Sequence, residues 1–369
     1  MWLVKENKYA RKSLRTTNKN TAIEKGKEAY LEIFANQKMG KTYFSLTTKE
    51  GVQKYLDNRK MDVDSGIIVA GRLGTIKTHL DHWLKFIGKD TKLKELSRTD
   101  CVDYFYHRTK KTRGNTKQIT IQNEQSTINA CMKFLFRNNL THIDKFDFKK
   151  LPRLDRNNEA IRRSTFEPIE FESLVRVLPS YCNRKKNKLD DKEWLTRQLM
   201  RHWILIAAQS GLRVGEQRQL RWSDVEVMNT ITDNKEFFQL AIIKVRAETS
   251  KVRTSRQFMC IGGHYFNRLR KLNKPKNEID LIFSLDGKAE LSKRTMLYHF
   301  DKILDLANIV DRENRDLVPY SLRHYMITNR IMSGLNHRQI ADMCGTSVVQ
   351  IEKTYYHLND EIRLENALA

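Results

Sequence analysis

Apolar residues recur at the spacing of an α-helix between residues 76 and 135. They form three stripes, and local signals such as Gly88 and the Ser97–Asp100 turn separate one stripe from the next. Because each amphipathic helix buries its stripe against its neighbours, the pattern predicts a bundle of about four or five helices. The stripes consist of Ile76, Leu80, Trp83, Leu84 and Ile87, then of Val102, Phe105 and Tyr106, and finally of Ile121, Ile128, Met132 and Leu135.

The segment before this bundle has shorter patterns and is strongly basic. It predicts a small strand pair, a helix that begins at the capping signal Thr21–Glu24 and ends near Asn36, and a second helix over residues 48–59. Residues 62–75 are polar and contain three glycines. This composition predicts a loop that leads into the bundle.

The periodic pattern lapses after residue 139 and returns at residue 166. An amphipathic helix is then followed by a long apolar helix from Lys192 to Ser210, for which Gly211 is a suitable end. Two strands, Phe237–Val245 and Arg256–Ile261, flank a short turn. Four helical patterns complete this part of the chain, near Lys293–Ile309, Ser321–Ser333, His337–Cys344 and Ser347–His357.

Together these patterns predict a mainly α protein with a small β-sheet, in the α+β class. A chain of 369 residues is long enough for two or three domains. We predict a small N-terminal module at 1–60, a helical domain at 61–150, an interdomain linker at 151–165, and a larger domain with a C-terminal tail at 166–369.

The balance of charge narrows the choice of partner. There are 68 Lys and Arg against 44 Asp and Glu, which gives a net charge of +24 and a pI near 9.8. Because the charges are interleaved with apolar residues instead of gathered in a tail, they indicate contact along a nucleic-acid backbone. The linker would then lie along the duplex. For residues 1–60, an accessory DNA-binding module and a solvated basic face fit equally well, since charge alone does not separate them.

Cysteine spacing and the N-terminus exclude other classes of protein. The five cysteines lie dozens of residues apart without a CxxC pair, so neither a zinc knuckle nor a disulfide framework is indicated. The N-terminus becomes charged at once, and no window approaches ~20 apolar residues. We therefore expect a soluble cytoplasmic protein with no membrane partner.

The run SGLRVGEQRQLRWSDV, from Ser210 to Val225, is the most informative motif. Taken alone, an arginine after a helix-ending glycine fits an ordinary buried ion pair between Arg213 and Glu216 equally well. Together with four motifs downstream, the run resembles the first arginine box of the tyrosine recombinases, the phage integrase family. Arg213 stands in the place of the arginine and Glu216 in the place of the acidic residue.

The turn at 248–253 resembles the β-hairpin of this family, whose tip carries a lysine that reaches toward the scissile phosphate. Lys251 stands in that place. Further on, the stretch at 343–347 resembles the family's Leu-Gly-His segment, with Thr346 where a histidine or tryptophan is usual.

The motif at 319–324 resembles the His-x-x-Arg box of the same family. Arg323 fits the second arginine, whereas Tyr320 holds the place of the histidine. His324 lies one residue beyond the arginine, where the family often has a histidine for structural reasons. The departures at Tyr320 and Thr346 concern the acid and base groups of the site.

The last motif, Thr354–Leu358, resembles the tyrosine box, and its spacing makes Tyr355 the nucleophile because Tyr355 lies two residues before His357. Tyr356 is the alternative. A tyrosine hydroxyl has a reference pKa of about 10 and needs neighbouring cations to attack. Arg213 and Arg323 are such cations.

The resemblance implies a site-specific DNA recombinase, an integrase of the kind found in prophages and mobile elements, acting in a bacterial host cell. It would cleave and rejoin strands through a 3′-phosphotyrosyl intermediate, without metal, ATP or another cofactor. Arg213 and Arg323 would neutralise the phosphate, and Lys251 would protonate the leaving 5′ oxygen. Tyr320 and Thr346 would donate hydrogen bonds to the phosphate.

The implied partner is double-stranded DNA, bound by a protein that is monomeric when free. Four protomers would assemble on a synapse of two DNA sites, with each C-terminal tail passing to a neighbour. Two alternatives stay open. A catalytically silent DNA-binding relative would explain Tyr320 and Thr346, and a relaxing topoisomerase of type IB would use the same tyrosine chemistry.

Overall fold

The structure, a computed structural model, divides into two compact units, residues 1–156 and 157–369. The predicted linker at 151–165 lies almost wholly outside the described residues, and so do Lys251, Tyr356 and the tail at 359–369. The described residues are 1–4, 8–38, 44–111, 116–149, 165–231, 235–250, 253–312 and 314–355.

The N-terminal unit begins with a two-stranded antiparallel ribbon, in which Trp2 pairs with Tyr9, and this confirms the predicted strand pair. The first helix starts earlier than predicted. Its cap is Asn18, whose Oδ1 accepts hydrogen bonds from the backbone N–H groups of Asn20 and Thr21 at 3.0 and 3.1 Å. The elements are β1 (Trp2–Leu3), β2 (Lys8–Tyr9), α1 (Lys19–Lys38), α2 (Thr48–Asp64), α3 (Ala70–Ile87), α4 (Tyr104–Lys111) and α5 (Gln118–Arg137).

Helices α2, α3 and α5, with the segment around α4, enclose one apolar core. Trp83 and Leu80 of α3 are fully buried there, and the stripe on α5 is buried along its whole length. The first and third predicted stripes are therefore confirmed. Together α2, α3, α4 and α5 form a helical bundle, as the periodicity predicts.

The second predicted stripe is wrong by one position. Cys101 and Tyr104 point into the core, while Tyr106 is exposed. The reason is a buried carboxylate on α5, Glu124, which accepts hydrogen bonds from the Tyr104 hydroxyl at 2.8 Å and from Arg108 at 2.7 Å. A polar group in the core thus selects a face that a purely apolar pattern does not indicate.

The predicted loop at 62–75 is also too long. Helix α2 continues to Asp64 and α3 begins at Ala70, so the loop between them covers only 65–69. Glycine within a helix costs only about 1 kcal/mol, which burial of the α3 stripe offsets. Val52 and Tyr55 of α2 are buried in the bundle core. The predicted boundary at residue 60 consequently falls inside a helix that belongs to the bundle.

The described part of the C-terminal unit contains helices and one three-stranded antiparallel sheet, in the order β3 (Val225–Ile231), β4 (Phe237–Val245), β5 (Arg256–Ile261). The two predicted strands, β4 and β5, are confirmed with their bounds, whereas β3 and the helix α9 (Gly263–Asn273) were not predicted. Within the described ranges no helix combines the length and apolarity needed to cross a membrane. The elements are α6 (Pro168–Tyr181), α7 (Asp191–Ser210), α8 (Val214–Arg218), β3 (Val225–Ile231), β4 (Phe237–Val245), β5 (Arg256–Ile261), α9 (Gly263–Asn273), α10 (Lys293–Leu306), α11 (Ser321–Met332) and α12 (His337–Cys344), followed by a helical segment at 348–355.

Helix α7 passes through the centre of this unit, and Trp203 and Ile204 are among its many buried residues. It ends at Gly211, which has φ = 61°. A Cβ atom at this position would lie 2.2 Å from Cε of Met326, a residue of α11. Glycine therefore allows α11 to approach the end of α7 closely, and this approach positions Arg323.

Candidate active site

Arg323 lies in the first turn of α11 and is only 4% exposed. Its Nη1 donates to the carbonyl oxygen of Gly211 at 2.6 Å, and its Nη2 donates to that of Cys344 at 2.8 Å. These carbonyls end α7 and α12, where main-chain oxygens have no partner inside the helix and carry partial negative charge. The guanidinium is thus fixed between two helix C-termini.

Arg213 directly precedes α8 and is held in a similar way. Its Nη2 donates to the carbonyl oxygen of Gly345 at 2.6 Å, and its Nη1 donates to Oε1 of Glu216 at 2.6 Å. Gly345 terminates α12 in the left-handed conformation, with φ = 60°. Both arginines identified from the sequence therefore converge on the end of the same helix.

Arg256, at the start of β5, completes this group and was not predicted. Its Nη2 donates to Oε2 of Glu216 at 2.7 Å, and its Nε donates to the carbonyl oxygen of Met343 at 3.0 Å. A signal was present in the sequence, because the strand period of two places Arg256 on the same face as the buried Phe258 and Cys260. An arginine at an inward-facing strand position indicates a buried partner.

Glu216 is 2% exposed and joins Arg213 to Arg256. Burial alone would raise the pKa of its carboxyl, but the hydrogen bonds and charge of Arg256 and the bonds from Arg213 outweigh burial, so the pKa is lowered. The carboxylate therefore stays ionised and holds two guanidinium groups in fixed positions. Glu216 is also the residue that the sequence resemblance puts in the acidic position of the arginine box.

The connection between β4 and β5 carries the predicted Lys251. The strands pair from Leu240 with Ile261 to Val245 with Arg256, which confirms a hairpin at this place. At its base, Arg246 donates to the buried carboxylate of Asp224 at 3.0 Å. Lys251 itself lies outside the described residues, so its role stays a prediction.

A cavity of about 750 Å³ opens beside these groups. Three guanidinium groups line it, whereas two carboxylates lie nearby, those of Asp342 and of the buried Glu216. Such a site attracts an anion with several oxygens, because a guanidinium can donate two parallel hydrogen bonds to a phosphate. The lining includes Arg213, Arg256, Arg323, Tyr320, Thr346 and Asp342.

Tyr355 lies beside this cavity but does not line it. Its side chain is 6% exposed and packs in a small apolar cluster with Met326 and Ile351. The Tyr355 hydroxyl is 2.5 Å from Nδ1 of His324. Burial raises the pKa of Tyr355, and the charge of Arg323 acts in the opposite direction.

Tyr320, in the place of the expected histidine, lines the cavity and contacts His324 through its ring. The two ring centroids are 5.2 Å apart with the planes at 67°. Folding thus brings Arg213, Arg323, Tyr320 and Thr346 to one cavity. His324 and Tyr355 lie next to it, whereas Lys251 and the alternative nucleophile Tyr356 lie outside the described ranges.

The match to a known protein family falls within the C-terminal unit, residues 157–369. The family model described as "Phage integrase family" matches residues 175–361. No curated protein sequence matches the chain.

Several solved structures share the fold. XerH site-specific recombinase bound to a palindromic difH substrate has a TM-score of 0.58 at 17% identity, covering 80% of this chain and 78% of that one. The Tn1549 transposon integrase in complex with circular intermediate DNA has a TM-score of 0.59 at 15% identity, covering 88% and 100%. A lambda integrase dimer bound to a COC′ core site has a TM-score of 0.53 at 12% identity, covering 90% and 87%.

Proposed function

The chain belongs to the phage integrase family, and from this premise we propose that Tyr355 cleaves DNA at a phosphate bound by Arg213 and Arg323. The family, the mainly α fold and the class of DNA strand-exchange enzyme predicted from the sequence are confirmed. The protein is a site-specific recombinase, and neither the silent relative nor the topoisomerase is favoured.

The observation that carries the proposal is the convergence of guanidinium groups on one cavity. Arg213 and Arg323 are each held by main-chain carbonyls at the end of α12, and Arg256 joins them through Glu216. A guanidinium has five N–H donors, more than the bonds named above use. Donors fixed before the substrate arrives stabilise developing charge without reorganisation during the reaction.

The proposed reaction exchanges one phosphodiester bond for another. The Tyr355 oxygen bonds to phosphorus as the bond from phosphorus to the 5′ oxygen breaks, and Arg213 and Arg323 neutralise the non-bridging oxygens. The 5′ oxygen takes a proton from Lys251. Because the phosphotyrosyl bond retains the energy of the broken bond, a 5′ hydroxyl from a second strand can reverse the step.

The burial of Tyr355 adds a step before cleavage. Its ring lies in an apolar cluster beside the cavity and its hydroxyl contacts His324, so the hydroxyl must approach the bound phosphate while it keeps the bond to His324. We propose that DNA binding selects this movement, since a phosphate held by Arg213 and Arg323 offers the hydroxyl an electrophile that the free protein lacks.

The direct test is covalent capture. Wild-type protein is incubated with nicked suicide duplexes tiled across the DNA that flanks its gene, and the products are separated on a denaturing gel. We expect a covalent protein–DNA band on one duplex. Binding without a band on any duplex would support the silent relative, and relaxation of a plasmid without a specific site would support a topoisomerase.

The proposed role of Lys251 as proton donor can be tested without knowing where its side chain lies. We predict that Lys251→Ala keeps DNA binding and slows cleavage by about 100- to 10,000-fold, because it removes the proton donor for the 5′ oxygen. A 5′-phosphorothiolate substrate, whose leaving group needs no proton, should restore most of the rate. Lys244→Ala serves as the control for loss of one basic residue. A defect that persists with the phosphorothiolate would exclude Lys251 as the general acid.

We also propose that four protomers assemble on two DNA sites through exchange of the C-terminal tail. Among the similar structures, the lambda integrase is described as a dimer on its core site. The tail at 359–369 carries Ile362, Leu364 and Leu368 near helical spacing. An apolar stripe on so short a segment needs a surface to cover it, and a head-to-tail exchange closes into a ring.

Deletion of residues 359–369 should leave binding to a single site intact and abolish the complex that contains two sites. Native gels with one or two labelled sites measure both. A control variant replaces Glu361, Arg363 and Glu365 by glutamine, which keeps the tail and its stripe. Two-site complexes formed by the truncated protein at wild-type concentrations would contradict the exchange, as would unfolding of that protein.

A further inference from the structure

The hydrogen bond between His324 and Tyr355 is unexplained by the roles assigned so far. Nδ1 of His324 lies 2.5 Å from the Tyr355 hydroxyl, although the two residues are 31 positions apart in the chain. The hydroxyl donates to Nδ1 when the imidazole carries its proton on Nε2. In that arrangement a basic nitrogen already touches the hydrogen atom that the nucleophile has to lose.

A proton acceptor is required at this place. Burial raises the pKa of Tyr355, so the hydroxyl keeps its proton before attack. A phenol is a much poorer base than an imidazole near neutral pH, so Tyr320 does not replace the missing histidine as proton acceptor. Histidine, with a reference pKa of about 6.5, is suited to accept a proton there.

We propose that His324 is a catalytic residue that accepts the proton of Tyr355, in place of the histidine that is absent at position 320. This inference rests on the proposed role of Tyr355 as the nucleophile. The Tyr355 O–H bond breaks and its proton passes to Nδ1, while the oxygen bonds to phosphorus and the 5′ oxygen leaves with a proton from Lys251. On rejoining, His324 returns the proton to Tyr355.

The surroundings of the pair fit this assignment. The Tyr320 ring packs edge-on against His324, and it also lines the cavity, so the imidazole is one side chain removed from the place proposed for the phosphate. Arg323 precedes His324 on α11 and favours the tyrosinate by its charge. Cys344 of α12, whose buried thiol has a raised pKa, is uncharged.

The test compares two substitutions in single-turnover cleavage of the suicide duplex. His324→Asn retains an amide that can bond to the Tyr355 hydroxyl at the position of Nδ1 but cannot take a proton. His324→Ala removes the ring and leaves space for imidazole. We expect both variants to bind DNA like the wild type and to cleave about 100- to 10,000-fold more slowly. Added imidazole should raise the rate of His324→Ala alone.

A control is His264→Asn, which removes another histidine of the same unit, one that lines a separate cavity with Phe237 and Tyr265. It should cleave at the wild-type rate. The assignment is overturned if His324→Asn cleaves within a few-fold of the wild type, because the hydrogen bond then only holds the tyrosine in place. It is equally overturned if imidazole does not accelerate His324→Ala. Failure of the wild type to form any covalent complex would instead refute the proposed function.

Discussion

Tyr355→Phe should abolish the covalent protein–DNA complex while leaving DNA binding and thermal stability nearly unchanged. The substitution removes one oxygen from a ring that is 6% exposed and otherwise packed among apolar side chains. The phenyl ring keeps these contacts, so the stability change is limited to the bond with His324, about 1 kcal/mol. Cleavage, in contrast, is lost completely, because no phosphotyrosyl bond can form without the hydroxyl.

The measurement is a denaturing gel on the suicide duplex, with a binding assay on the intact duplex in parallel. Tyr356→Phe is the matched control, since it makes the same change one residue further along the chain. We expect Tyr356→Phe to retain the covalent band. The reverse result, with the band lost in Tyr356→Phe and kept in Tyr355→Phe, would transfer the nucleophile to Tyr356.

Arg323→Lys should slow cleavage by roughly 10³- to 10⁵-fold, a loss similar to that of an arginine from other phosphoryl-transfer sites. Lysine keeps one positive charge but cannot bond to the Gly211 and Cys344 carbonyls and to a phosphate together. The variant should also be less stable by about 1–3 kcal/mol for each carbonyl left without a donor.

Two measurements separate these effects. Thermal unfolding reports the loss of the carbonyl contacts, and cleavage well below the melting temperature reports the loss at the phosphate. Arg330→Lys makes the same exchange near the end of the same helix and should change neither quantity much. Cleavage by Arg323→Lys within tenfold of the wild type would show that this arginine does not bind the scissile phosphate.

The sequence predicts those parts of the fold that depend on local order. The stripe on α5, the end of α7 at Gly211 and the pairing of β4 with β5 all follow from short-range periodicity and turn residues. The burial of the Tyr104 side chain could not be predicted from this periodicity, because it depends on the carboxylate of Glu124, 20 residues later in the chain. Strand β3 was missed because it begins at Val225, the last residue of the run from Ser210, without a turn signal.

The candidate site divides in the same way. Arg213, Arg323 and Tyr355 were found because each lies in a motif with fixed neighbours. Arg256 was missed because its place in the site depends on the hydrogen bond to Glu216, 40 residues away in the chain. The contact between His324 and Tyr355 was likewise beyond the sequence, since it joins two helical segments whose packing alone decides which side chains meet.

The arginines are anchored mostly by main-chain oxygens, and this affects how the protein can evolve. A carbonyl is present whichever side chain the residue carries, so α7 and α12 can change most of their residues without loosening Arg323. The exceptions are Gly211 and Gly345, whose positive φ angles and crowded surroundings disfavour larger residues. A Cβ atom at Gly345 would lie 2.5 Å from Nη1 of Arg256. The geometry of the site therefore constrains the side chain at Gly211 and Gly345 more than at most positions of α7 and α12, compatible with a shared fold at 17% identity to XerH.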